Sequence, residues 1–270
     1  MKLSLVLSLQ PTQFSALAIQ GNPEDHLQKL KTLGYEGIEL AIRDPSMLNW
    51  DHLEKEVKIS GLDVPAIGTG QAYLEEGLRL CSPSPEVREK AIERLKSHIS
   101  LAKRFQAGVI IGLIRGRVEK SEEFRKGYEW MIESLKTCCE EAETEDVPLW
   151  IEPLNRYETN LVNTLEEGWK VIEELRSEKL GLLPDTFHMN IEERAIGESL
   201  RKYAPYLKHI HLADSNRWAP GNGHLDFQGI LDLLNSINFQ GFLSFEILPE
   251  PNPDEAVKSA IDFTRSLIKE

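Results

Sequence analysis

Four residues able to ligate a divalent cation stand at matched points of the chain: Glu152, Asp185, His211 and Glu246. Each lies on or beside the end of a short apolar run, and they are spaced by 33 (152 to 185), 26 (185 to 211) and 35 (211 to 246) residues. Each interval is the length of one strand, one helix and their turns. If the runs are neighbouring strands of a closed parallel sheet, all four groups meet around one rim. Three carboxylates crowded into a largely dehydrated rim repel one another, and each is costly to bury alone. A divalent cation removes both costs. Three oxygen donors and one imidazole suit octahedral Mn, Mg or Co, whereas structural zinc prefers thiolates in a closed tetrahedron. Mn is the first expectation, and Mg, Co and Zn are also admitted. Two coordination positions then remain for a hydroxyl and a carbonyl oxygen of a substrate, which polarises the C=O and acidifies the carbon between. Taken singly, each residue has an ordinary explanation as a helix cap, an arginine partner or a rim histidine. Four in consecutive units at the same strand end make coincidence the weaker account.

Further polar groups flank the four. His188 follows Asp185 in D-T-F-H, Arg217 follows His211 in H-L-A-D-S-N-R, and Glu158 follows Glu152 in E-P-L-N-R-Y-E. His188 and Arg217 donate hydrogen bonds and suit substrate oxygens. The competing explanation is a loop ion pair, Arg217 with Asp214 or Arg156 with Glu158. Gly221-Asn222-Gly223 forms a tight turn or a mobile substrate loop beside Arg217. Gly68-Thr69-Gly70 begins a G-x-G pattern, but Tyr73 stands where the third glycine would be, so a dinucleotide fingerprint fails. Neither a Walker loop nor a G-x-S-x-G elbow occurs.

The elements that position these groups follow from an alternation of short apolar strands with longer amphipathic segments, the signature of parallel β/α units. Strands are predicted at Leu3–Leu9, Gly37–Ala41, Asp63–Gly68, Gly108–Leu113, Pro148–Glu152, Leu180–Asp185, Leu207–Leu212 and Gly241–Ile247. The clearest helix is Pro85–Phe105, in which Val87, Ala91, Ile92, Leu95, Ile99 and Ala102 form one apolar stripe. Others are predicted at Ser121–Glu141, Thr164–Glu174, Ile191–Tyr203, Phe227–Ile237 and Pro253–Lys269, with Asn22-Pro23 and Ser84-Pro85 as helix starts. Eight such pairs favour a closed α/β (β/α)8 TIM barrel, one catalytic domain over residues 1–270, above a doubly wound sheet. The longest irregular stretches, Gly68–Ser84, Pro153–Asn163 and Ala213–Asp226, all follow a strand, where such barrels place active sites.

Composition narrows the partners. A formal net charge of -13 disfavours nucleic acid, because that binding draws on Lys and Arg replacing counterions. The acidic run Glu140–Asp146 reads as a solvated helix end. With only three cysteines, two of them adjacent (Cys138, Cys139), no bridge is expected and a reducing cytoplasm is the simplest location. The opening residues alternate Leu3, Leu5, Leu7 and Leu9 as a strand rather than as a signal segment, and no run approaches the ~20 apolar residues of a membrane span.

The segments W-I-E-P-L-N-R, D-T-F-H, H-L-A-D-S-N-R-W-A-P-G-N-G-H-L-D-F and F-E-I, with G-Y-E-G-I-E-L at Gly34–Leu40, resemble the xylose isomerase-like barrel enzymes. The likeness runs along the whole chain and is nearest to the ketose 3-epimerases of the D-tagatose and D-psicose type. It implies that Glu152, Asp185, His211 and Glu246 bind one Mn or similar ion and that Glu152 and Glu246 are the acid/base pair. It implies that Glu158, His188 and Arg217 hold the substrate, and that inversion passes through a cis-enediolate. Dimers or tetramers are frequent in the family, so a homo-oligomer is an expectation of the resemblance. Departures concern the sugar pocket, where Leu7, Gly68 and Leu113 replace the aromatics and cysteine of a ketohexose enzyme. A cyclic polyol ketone such as an inosose therefore competes with a ketose, while a sugar phosphate finds no basic cluster. Aldose–ketose or hydroxypyruvate-type isomerisation ranks below epimerisation. An abasic-site endonuclease would need extra histidines at the ends of the earlier strands, and a non-catalytic sugar-binding barrel would exchange no protons.

Overall fold

Leu3, Leu5 and Leu7 are fully buried, each removed from water with a gain of roughly 1.5–3 kcal/mol, and their alternation sets the first strand of the barrel. In the computed structural model, which describes residues 1–120 and 123–268, eight parallel strands carry the chain. They are β1 (Lys2–Ser8), β2 (Gly37–Ala41), β3 (Ala66–Gly68), β4 (Gly108–Ile111), β5 (Leu149–Ile151), β6 (Leu180–Leu182), β7 (Ile210–Leu212) and β8 (Phe242–Phe245). Ladders join them in the order β6, β5, β4, β3, β2, β1, β8, β7. Parallel bridges Leu182–Leu207 and Asp185–His211 link the two ends and close the (β/α)8 barrel. A two-residue strand, Ile19–Gln20, adds to β1 outside this ring.

Side-chain parity divides each strand. Leu5, Ile38, Leu40, Ile67, Val109, Ile111, Leu149, Ile151, Leu182, Ile210, Leu212, Leu243 and Phe245 belong to the large core shared with the helices. The opposite parity carries Ala66, Ile110 and Trp150, which cluster with Leu183, and the polar Glu39, His209 and His211. Trp150 stacks on His209 at 5.2 Å and 15°, and a Cβ at Gly108 would meet its indole at 2.5 Å, so that glycine makes room for the ring.

Helix Pro85–Phe105 has the bounds expected of it, and Thr164 caps Leu165–Leu175 by accepting from Glu167 N. Helix Phe124–Glu145 extends past the expected end, while its expected start at Ser121 and the expected end of the last helix at Lys269 lie outside the described residues. The single helix expected over Ile191–Tyr203 is two, Thr186–Glu192 and Ile196–Lys202. Glu193 sits at the break, its carboxylate accepting from Leu165 N at 2.8 Å and Ser199 Oγ at 2.6 Å, and those bonds outweigh helical continuity. Strands β3 and β6 are shorter than expected because Pro65 and Pro184 lack an N–H for the ladder. Asp63 and Asp185 keep one bridge each.

Candidate active site

The structure brings three of the four expected ligands together with His188, while His211 groups with Glu39 and His209 and touches this cluster from its edge. Glu152, Asp185, His188 and Glu246 each bring a ligand atom within 4.8 Å of the others. His211 Nδ1 lies 3.2 Å from Glu152 Oε1 and 3.9 Å from Asp185 Oδ2. Glu152 Oε1, Asp185 Oδ2, His188 Nε2 and His211 Nδ1 are all buried without a hydrogen-bond partner. Buried polar atoms that face one another without partners call for a ligand, and the Glu152 and Asp185 carboxylates, with Glu246 beside them and an imidazole, suit a divalent cation. Asp185 satisfies both explanations at once. Its Oδ1 caps the following helix, accepting from Phe187 N at 2.7 Å and His188 N at 3.4 Å, and its Oδ2 stays free.

Two imidazoles compete for the role of ligand, and their outer partners separate them. His188 Nδ1 receives the backbone N–H of Asn155 at 3.3 Å, with the Asn155 amide nitrogen at 2.8 Å. A backbone N–H can only donate, so Nδ1 is an acceptor and the ring hydrogen lies on Nε2, facing the cluster as a donor. Burial, with help from Arg217 and His211, holds this imidazole well below its usual pKa and therefore neutral. His211 has the opposite arrangement. Its Nε2 points at both Glu39 oxygens, each at 3.0 Å, so Nε2 donates outward and Nδ1 is the atom turned to the cluster. This is the carboxylate–histidine arrangement that orients a metal ligand. Glu39 also accepts from His209 Nε2 at 2.8 Å. Burial alone would raise the Glu39 pKa, but the two imidazoles draw it below the usual carboxylate range. Burial likewise opposes charge on His211, yet Glu39 and Glu152 outweigh it and raise that pKa well above 6.5.

Arg217 lines the same cavity as Glu152, His211 and Glu246 and is largely buried. Its backbone is left-handed, φ 64°, a conformation that costs a non-glycine residue of order 1–3 kcal/mol and gathers at functional sites. Nη1 donates to Glu158 Oε1 at 2.9 Å and Nη2 to Glu246 Oε2 at 2.8 Å. The guanidinium lies over Phe14 at 5.1 Å and Phe187 at 4.9 Å. The alternative ion pairs do not form: Arg156 binds Glu192, and Asp214 accepts from Ser215, Gly221 and Leu225 N. Those bonds shape the Gly221-Asn222-Gly223 segment into a turn, with φ 91° at Gly221. Burial lifts the Glu246 carboxyl to about 8 and that of Asp185 to about 6, against the opposing charges of Arg217 and His211.

These groups open into a cavity that is continuous with solvent. Gly68 and Leu113 line it as expected, but Leu7 does not: it faces the helices and is fully buried, and Val6 takes its place. The pocket also has an aromatic wall, since Phe14 enters from the loop after β1. Sequence reasoning gave no role to Glu39, His209, Asn155, Phe14 or Gln71. Glu39 and Asn155 stood within quoted motifs, and only their cross-barrel contacts reveal what they do. Gly112 was likewise unassigned; a Cβ there would come within 2.4 Å of Glu152 Oε2.

No helix among the described residues is long and apolar enough to cross a membrane. The chain is 29% identical to L-ribulose 3-epimerase of Mesorhizobium japonicum over 94% of its own length and 85% of that protein. It is 28% identical to 3-dehydro-D-guloside 4-epimerase of Escherichia coli, covering 90% of this chain and 95% of that one. The solved structure of an L-ribulose 3-epimerase superposes with a TM-score of 0.83 at 27% identity, over 99% of this chain and 96% of the other. These relatives are epimerases, and the chain falls with them among the isomerases. Residues 27–267 match the family described as xylose isomerase-like TIM barrel, and the chain belongs to that family.

Proposed function

We propose that residues 1–270 act as one catalytic domain, a divalent-metal-dependent epimerase that inverts a carbon beside the ketone of a ketose, with an inosose as the alternative substrate. The observation that carries this reading is the approach of unpartnered buried atoms of Glu152, Asp185 and His211 to one another beside the Glu246 carboxylate, with Glu152, His211 and Glu246 lining the cavity. Glu152, Asp185, His211 and Glu246 would hold the ion, Mn first. When bound, such an ion draws electron density from a ketone oxygen and so acidifies the adjoining C–H. Glu152 and Glu246 enter the cavity from different strands. One takes the proton from one face of the carbon, leaving an enediolate, and the other returns a proton to the opposite face; in the reverse direction they exchange roles. The His188 Nε2–H and the Arg217 guanidinium donate to substrate oxygens, while Glu158 and Asn155 hold those two donors in position. Three free, buried cysteines fit a reducing cytoplasm.

The test is protein reloaded with Mn2+ in D2O, supplied separately with L-ribulose, D-psicose, an inosose and hydroxypyruvate and followed by NMR. The expected result is inversion with one solvent deuterium at the inverted carbon, lost on chelation. A carbonyl that migrates to the neighbouring carbon would make the protein an aldose–ketose isomerase. No exchange into any substrate would make it a binding barrel, and chelator-sensitive cleavage of abasic-site DNA an endonuclease.

A further inference from the structure

Besides the candidate ligands and the Glu39, Glu158 and Arg217 side chains already paired around them, the cavity lining is largely hydrocarbon, including Val6, Phe14, Ala41, Leu74, Ile110 and Leu113. Two further polar side chains, Thr69 and Gln71, stand among these. Thr69 spends its hydroxyl hydrogen on Ile110 O at 2.6 Å. Gln71 is only 3% exposed, lines the cavity, and has an Oε1 that is buried with no hydrogen-bond partner.

The orientation of that amide is set by a chain of bonds behind it. Ser8 Oγ donates its one hydrogen to Gln10 O at 2.7 Å, which leaves it to accept from Gln71 Nε2 at 2.7 Å. Gln10 is fixed in turn, its Oε1 accepting from Arg43 N at 2.8 Å and Asp44 N at 2.9 Å. With its nitrogen committed to Ser8, Gln71 presents a carbonyl acceptor in an otherwise apolar wall. A buried carbonyl without a donor costs free energy that a substrate hydroxyl would recover.

The geometry points to Gln71 as the specificity-determining residue for the end of the substrate on the β3 side of the ring, opposite the strand that carries His211: its Oε1 accepts from one distal hydroxyl while hydrocarbon packs around the rest. This rests on the epimerase reading and deepens it. The favoured substrate is a ketose that places a single hydroxyl on that wall. A site built to pair a hydroxyl rejects the analogue lacking it far more strongly than a hydrocarbon wall rejects an added one.

The experiment uses whichever of L-ribulose and D-psicose the wild type inverts faster, together with its analogue deoxygenated at the carbon farthest from the ketone. Wild type is expected to favour the hydroxylated sugar in kcat/KM by roughly 10- to 100-fold. In Gln71→Leu that preference should fall below about threefold, through loss on the hydroxylated sugar alone. Gln71→Met, which matches the side chain in length but offers no carbonyl, should lose it in the same way. Equal kcat/KM for the two sugars in the wild type overturns the assignment whether or not either variant folds. A preference that survives in Gln71→Leu overturns it as well. A wild type that inverts an inosose but no ketose overturns it too, and one that inverts neither sinks the epimerase reading itself, an outcome distinct from the others.

Discussion

Replacing Glu39 by glutamine should weaken metal binding without touching a ligand. The Glu39 carboxylate accepts from His209 Nε2 at 2.8 Å and from His211 Nε2 at 3.0 Å, both fully buried. An amide of the same shape has one carbonyl to offer two imidazole N–H groups and turns its own NH2 toward the other. One buried donor loses its partner, at a folding cost of about 1–3 kcal/mol, which a protein of ordinary stability of about 5–15 kcal/mol survives. The larger effect falls on His211. The raised His211 pKa favours a ring protonated on both nitrogens in the metal-free protein, so a cation must displace the Nδ1 proton; without the carboxylate the remaining hydrogen is no longer held on Nε2, and the neutral ring can keep it on Nδ1, which then presents a donor to the cluster. Loss of an outer partner of this kind costs about 10- to 100-fold in metal affinity, or about 1.4–2.7 kcal/mol. Titration calorimetry with Mn2+ at fixed pH, with circular dichroism to verify the fold, measures it. A Kd within twofold of wild type in a folded Glu39→Gln protein would refute the reasoning.

Three further predictions follow from the same geometry. Gly112→Ala places a Cβ 2.4 Å from Glu152 Oε2; the displaced carboxylate should lower kcat by about 100-fold with the fold kept, as read by steady-state kinetics and circular dichroism. In the metal-free protein, burial raises the carboxyls of Asp185 from 3.8 to about 6 and of Glu246 from 4.5 to about 8. Between those ordinary and raised values the folded state binds more protons than the unfolded one, so metal-free stability should fall as pH rises through that window. The Tm increase given by Mn2+ should therefore grow from pH 5 to 8 in calorimetric scans, and an increase that shrinks with pH would contradict this. Burial also holds the thiols of Cys81 at about 11 and Cys139 at about 12 and raises that of Cys138 further. A thiol-disulfide reagent at pH 8 should label none of the three in the native protein and all three in denaturant.

Much of the barrel is legible in the sequence because its strands and helices have different hydrophobic periods. The β1 leucines and the stripe of Pro85–Phe105 state their burial locally, and unit spacing puts Glu152, Asp185, His211 and Glu246 at one rim. What is not legible depends on partners far apart in the chain. Glu39 lies 172 residues from His211, and nothing in the local pattern of G-Y-E-G-I-E-L distinguishes a carboxylate that pairs across the barrel from one that meets solvent. Leu7 and Val6 show how a one-residue choice of parity exchanges a helix-facing side chain for a cavity wall. Phe14 enters from an irregular loop that has no period to read, and Gln71 gains its meaning from the fixed Ser8 behind it. The break at Glu193 similarly depends on Leu165 and Ser199.

The proposed function stands or falls with one cation shared by four side chains. Crystals grown or soaked with Mn2+ and measured at a wavelength sensitive to its anomalous scattering test it most directly. The expected map has one peak per chain, within about 2.0–2.6 Å of oxygen or nitrogen atoms from Glu152, Asp185, His211 and Glu246, with His188 outside that shell. A peak held by His188 in place of His211, or no peak common to the four, would contradict the account.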